Sequence, residues 1–290
     1  VPFEEALDVN FETAEINNLN PKFDDQQVVL QGVVDLLDEA LGLIDDAPNQ
    51  ISGGADLIYN GDMDGWRKFA KSLKLRTLMT MAASDESVHQ EIADLIGEGD
   101  LINDPSENAE IPFFAEAGNR NPFWETLNAF AGALNFFYFA SDAMVKTVKK
   151  YNDPRLDYYF VQYPGGGSPD TVIGALPGVN NLGYTPWVLS YSTDETNALV
   201  QPTAPDVLFT AQESKLLQAD AILKGYASGS ATDADALLRE AITISMNSFG
   251  VDQAAIDDHL ANNVPDLSSL TTEEAIQVVS EHMFIHCVVR

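Results

Sequence analysis

The chain has 290 residues, 45 of them acidic and 15 basic, and a formal net charge of −30. At roughly 150 residues per domain this allows one or two domains with ample core, and 45% hydrophobic residues with 9% aromatics exclude a disordered acidic tail. So negative a chain repels phosphate backbones and anionic headgroups, which argues against nucleic-acid binding and a polybasic membrane contact. No apolar run approaches the ~20 residues of a membrane span. The single cysteine, Cys287, allows no internal disulfide, a usage that fits a cytosolic protein and equally a large secreted domain. The chain opens at Val1 with no visible signal peptide, so a mature or trimmed segment is expected.

Residues 1–24 are mixed and polar, and Asn20-Pro21-Lys22-Phe23-Asp24 reads as a helix start. Val29, Val33, Leu36, Leu37, Ala40, Leu41 and Ile44 then recur at three- and four-residue steps, the apolar face of a long helix ended by Pro48 and Ser52-Gly53-Gly54. A second helix is predicted from Asp64 as N-cap to about Ala83, with Trp66, Phe69, Ala70, Leu73 and Leu78 as its core stripe. A shorter one follows from Glu86 to Ile96. A loop spans Gly97 to Phe123, and residues 125–151 read as helix, with an aromatic patch at Phe136-Phe137-Tyr138-Phe139. Asn152-Asp153-Pro154 stops it.

Residues 157–205 form the longest irregular stretch. Pro164-Gly165-Gly166-Gly167-Ser168-Pro169 and Pro177-Gly178 break it, with Tyr163, Tyr184, Trp187 and Tyr191 between the breakers. A loop that long inside a compact chain is usually functional. Helices are predicted again at about 206–225, 232–249, 253–262 and 271–287. Their short connections suggest a layer of helical repeats, although no repeat consensus can be read. The predicted class is mainly α.

Five of the fifteen basic residues, Arg67, Lys68, Lys71, Lys74 and Arg76, sit on one helix. They would serve an anion site or an acidic partner, but the favoured reading is a polar helix face neutralised by acidic neighbours. Asn60-Gly61-Asp62-Met63-Asp64-Gly65 imitates half a calcium loop, yet Lys71 falls where the bidentate glutamate belongs, so turn and N-cap explain it better. His282 and His286 are spaced to face one metal ion, but Met283 stands where a zincin carries glutamate, and no metal or cofactor is assigned. His89 and His259 lie in polar helical contexts without a nominated partner. No nucleophile elbow, phosphate loop or dinucleotide fingerprint occurs, and among 45 carboxylates accidental pairs are certain, so no catalytic residue is named.

The loop aromatics carry the most chemistry. Flat rings stack on the apolar faces of sugars or on peptide side chains, while nearby Asn and Asp supply directional hydrogen bonds. The same rings also serve to pack a loop onto a helical body. For Trp187 and Tyr184 the two readings stand level; for Tyr163 packing leads.

Several segments together resemble the SusD/RagB family, in particular its SusD-like nutrient-binding outer-membrane lipoproteins. Val1-Pro2-Phe3-Glu4-Glu5-Ala6-Leu7 resembles its "P-Y-x-E-A" stretch, and Pro21-Lys22-Phe23-Asp24 with Leu36-Leu37-Asp38-Glu39-Ala40 its next segment. Asp56-Leu57-Ile58-Tyr59-Asn60-Gly61-Asp62 and then Trp66-Arg67-Lys68-Phe69-Ala70-Lys71-Ser72-Leu73-Lys74-Leu75-Arg76 resemble the signature "D-x-I-Y-x-G-D … W-x-K-F-x-N-S-L-x-L-R", with Lys71 in place of Asn. Asn121-Pro122, Asn152-Asp153-Pro154-Arg155-Leu156, Ala241-Ile242 through Ser245-Met246, and Phe249-Gly250-Val251 follow in family order. A departure comes at Glu281-His282-Met283-Phe284, where the family carries "Q-K-W/Y".

The resemblance implies one SusD-like domain over residues 1–290, cut at both ends. Its expected fold is a right-handed layer of TPR-like helix pairs supporting a loop-rich ligand face. It implies a non-enzymatic protein, lipid-anchored on the outer face of the outer membrane through a segment absent here. There it would cover a SusC-type TonB-dependent transporter and capture oligosaccharides or peptides. No family motif carries over binding residues, so the candidates Tyr184, Trp187, Tyr191 and Trp124 rest on loop placement and ring chemistry. A helical scaffold without a small ligand, and a hydrolase hidden among the carboxylates, are the alternatives.

Overall fold

The computed structural model describes residues 8–10, 15–46, 53–129, 138–179, 182–190 and 198–287. Its first half rests on two long helices packed together, α1 (Gln26–Asp46) and α2 (Met63–Met81). On α1 Val34 is the most buried residue, and Leu36 of the expected stripe is exposed. α2 starts two residues earlier than predicted, because the Asp62 carboxylate, not Asp64, caps it by accepting the Asp64 N–H at 3.0 Å. Asn60 and Gly61 precede the cap at φ 52° and 87°, a left-handed corner that Asn and Gly tolerate best. α3 (His89–Glu98) follows a 3-10 turn at Glu86–Val88 and ends on Gly99 at φ 70°.

The second half is built around α7 (Ala211–Leu223), which packs on α2, α8 (Ala231–Ser248) and α10 (Thr272–His286), with α9 (Gln253–Asn262) against α8. α7 is buried on nearly all sides, several of its polar residues included, and most of these have partners. Glu213 faces Arg76, Lys215 meets Glu240 at 2.7 Å, and Gln218 donates to Asn103 at 2.8 Å and Ser214 at 3.1 Å. Ser230–Asp233 and Thr271–Glu274 form capping boxes that set the starts of α8 and α10. Leu216, Leu238, Ile242, Met246, Ile256 and Val279 fill the core between these helices, each side chain contributing about 1.5–3 kcal/mol by leaving water. The fold is mainly α, of TPR-like helix pairs, as the sequence predicts.

Two predicted helices begin or run differently. The expected helix 125–151 divides into α4 (Pro122–Ala129) and α5 (Asp142–Lys150), and residues 138–141 between them run extended. They are recruited by strand-like pairing: Phe139 bridges Val188, and Ser141 bridges Ala175. Phe136 and Phe137 lie outside the described residues. The expected helix from 206 opens instead as a strand, Asp206–Phe209, pairing antiparallel with Ala109–Ile111, and Thr210 then caps α7. After the short α6 (Leu156–Tyr159), another antiparallel pair joins Phe160–Val161 to Val188–Leu189.

Candidate ligand-binding face

The basic helix resolves into a structural hub. Arg67 pairs with Asp45 at 3.2 Å and with Asp64, and Lys68 with Glu107. Lys71 meets Glu98 at 2.8 Å and Asp100 at 3.0 Å, and Lys74 bridges Asp38 and Glu91. Arg76 grips both oxygens of Glu213 at 2.5 and 2.7 Å while its guanidinium lies 4.5 Å from the Phe209 ring centroid. Carboxylates from α1, α3, the 100–107 connection and α7 thus converge on α2, and its five cations are all paired. The preceding turn is equally structural. The Asp56 carboxylate accepts the N–H groups of Ile58, Tyr59 and Gly61 and the Trp66 indole at 2.8–3.1 Å. Burial pushes its pKa up, but these donors outweigh burial and hold it below the usual carboxylate range.

A second polar cluster sits deep in the helical core. Arg155, 2% exposed, donates to Asp153 at 2.5–3.2 Å and to Ser245 at 2.8 Å. His259 and His282 are buried beside this pair without a hydrogen-bond partner, His259 Nε2 lying 3.9 Å from Asp153. Burial, reinforced by Arg155, pushes the His282 pKa down to about 3. The two histidines spaced for a metal part company: His282 packs its ring 4.5 Å from that of Tyr151, while His286 Nε2 lies 3.0 Å from the Thr210 hydroxyl. His89 stacks on Tyr226 at 4.1 Å.

The loop-rich face is assembled from stretches far apart in sequence. Ala140 N–H donates to Trp187 C=O at 2.7 Å, Ala175 N–H to Ala140 C=O at 2.7 Å, and Trp187 N–H to Ile173 C=O at 3.0 Å. Ser190 N–H reaches Tyr159 C=O at 2.8 Å. Gly174 passes so close to α5 that a Cβ there would lie 2.4 Å from the Asp142 nitrogen. Of the candidate rings, half-buried Tyr184 donates its hydroxyl to Gly174 C=O at 3.1 Å, and half-buried Trp187 donates its indole N–H to Pro169 C=O at 3.1 Å. Both therefore brace the loop while keeping part of their surface in solvent. Trp124 is 3% exposed, packed with Leu127 and Val200 beneath the face, with the Arg120 guanidinium 5.2 Å from its ring centroid. Asn121 seats that helix by accepting the N–H groups of Phe123 and Trp124 and donating to Ala204 C=O at 2.8 Å. Tyr191 lies outside the described residues.

Three rings that sequence reasoning did not nominate also stand on this side: Tyr138, Phe139 and Phe284, exposed by 43%, 41% and 46%. The aromatic run at 136–139 was the visible signal of the first two, hidden by its reading as helix.

The described residues form a mainly helical body of TPR-like pairs carrying a braced, aromatic, loop-built face, and among them no helix is long and apolar enough to cross a bilayer. The model of the SusD-like family, described as starch-binding and associating with the outer membrane, matches residues 1–287, and the chain belongs to that family. Similar solved structures include an outer membrane protein of Bacteroides vulgatus whose description links it to nutrient binding (TM-score 0.75, 22% identity, 99% of this chain and 65% of that one). A SusD homologue of Bacteroides fragilis gives TM-score 0.70 at 22% identity over 96% of this chain and 63% of that one. A chitin-binding protein gives 0.69 at 20% over 97% and 61%. The chain thus spans less than two thirds of the length of each. No curated protein matches it.

Proposed function

We propose that this protein captures oligosaccharides, or peptides of similar size, at the cell surface and hands them to a SusC-type TonB-dependent transporter without chemical conversion. The observation that carries the reading is family membership over the whole described chain, joined to a loop face whose rings are held in place before any ligand arrives. Bracing lowers the ordering cost of binding. Trp187, Tyr184 and Tyr191 are the proposed contact rings, and Trp124 acts from beneath as a positioning residue. A lipid anchor on a segment outside this chain would hold the protein on the outer face of the outer membrane.

Titration calorimetry of the folded chain against a panel of oligosaccharides and oligopeptides, with chromatography of the ligand afterwards, tests the proposal. Heat of binding with ligand recovered intact is the expected outcome. Cleaved ligand contradicts the capture reading, and a blank panel from a folded chain moves the function to a pure scaffold.

A further inference from the structure

Where the 138–141 segment, the Phe160–Val161 and Val188–Leu189 pair and the last turn of α10 meet, the surface sinks into a recess of about 430 Å³. Phe160 and Met144 form its buried floor, and Tyr138, Phe139 and Phe284 stand exposed at its rim. Three large rings left in water at one recess mark a binding surface more than a packing fault. They are also placed in advance. Leu189 N–H donates to Tyr138 C=O at 3.1 Å, Phe139 bridges Val188, and the Tyr138 ring meets Phe123 edge-on at 5.1 Å between centroids. Ser141 adds a hydroxyl at the edge, and neither it nor the Tyr138 hydroxyl is engaged by a described residue.

Charge narrows the occupant further. Among the described residues, no charged side chain lines the recess. The cations on the adjoining α5 are engaged: Lys146 with Asp142 at 2.7 Å, Lys149 with the Val172 carbonyl, and Lys150 with Glu281 at 2.6 Å. Elsewhere the α2 cations, Arg155, Lys215, Lys224 and Arg239 each meet a carboxylate. An acidic sugar would enter the field of a chain at −30 and lose hydration with no cation among the described lining residues to replace it. An uncharged pyranose matches on every count, with flat C–H faces for the rings and peripheral hydroxyls for Ser141 and Tyr138. Rings at a rim suit such stacking better than enclosure of an apolar side chain.

We infer that this recess is a sugar-holding subsite of the protein and that it selects uncharged over acidic oligosaccharides, an inference that rests on the nutrient-capture reading. Calorimetry of the chain, and of its Phe284→Ala, Phe284→Trp and Tyr138→Ala variants, with uncharged gluco- and chito-oligosaccharides and with oligogalacturonides, at 50 and 500 mM salt, tests it. The expected result is binding of an uncharged series that changes less than about twofold with salt, and galacturonides at least about tenfold weaker. Phe284→Ala and Tyr138→Ala should each weaken binding about five- to fiftyfold at an unchanged melting temperature, with Phe284→Trp restoring it. Equal or tighter galacturonide binding overturns the charge selection. Sugar binding untouched by the alanine variants overturns the site alone, and an oligopeptide bound in the sugar's place overturns the ligand class. If no member of either sugar series binds, the capture of sugars fails and this inference with it.

Discussion

In the helical body, charge is buried in pairs whose members are set by elements already in place. Asp153 and Arg155 sit two residues apart at the head of α6, and Arg76 and Glu213 on two helices brought together by their apolar faces. On the loop-rich face the ties are main-chain hydrogen bonds between 138–141, 173–175 and 187–190, supplemented by the polar tips of Tyr184 and Trp187. The first arrangement fails when one partner of a buried pair is removed, since the survivor is left charged and dry. The second fails when the chains are forced apart, whatever their side chains. The two regions therefore answer to different substitutions.

Asp153→Ala should have the largest effect. It strands the fully buried Arg155 guanidinium and is expected to lower stability by about 3–5 kcal/mol, read as a fall in the urea midpoint. Gly174→Ala presses on the Asp142 backbone and is expected to cost about 1–3 kcal/mol, confined to the face. Hydrogen exchange should accelerate over 172–189 while α7, α8 and α10 keep their protection, and equal loosening of both regions would erase the distinction.

Acid sharpens the comparison from the other side. His282 is surrounded by Arg155, Asp153, His259 and Glu281, and its native pKa of about 3 lies below the 6.5 of an unfolded chain. Burial also holds His259 below its ordinary value. As pH falls below 6.5 the unfolded state takes up protons that the native state refuses, so stability is lost between about pH 6.5 and 3. For His282 the loss is on the order of 1 kcal/mol by pH 5.5. Thermal melts at pH 7 and 5.5 should show it, and His282→Leu should flatten that part of the profile.

Most of the body was legible because three- and four-residue apolar spacing records burial directly. The five cations of α2 were read as a neutralised face, and the structure supplies a carboxylate for each. The face was not legible in the same way. Residues 138–141 have a helical context in sequence and become extended only because Trp187 and Ala175 offer them partners, contacts that leave no periodic trace. The burial of His259 was hidden for a like reason, since its polar neighbours on α9 say nothing of Asp153 arriving from another segment. Exposure of Phe284 depends on what α10 packs against, which no spacing within α10 encodes.

The central claim is that the helical body supports and the loop face binds. Hydrogen-exchange mass spectrometry of the chain, alone and saturated with whichever oligosaccharide the calorimetry identifies, tests it most directly. Slower exchange concentrated in 138–141 and 157–190, with α1, α2, α7 and α8 unchanged, is the expected result. Protection confined to the helices, or binding that leaves those loop segments untouched, would contradict it.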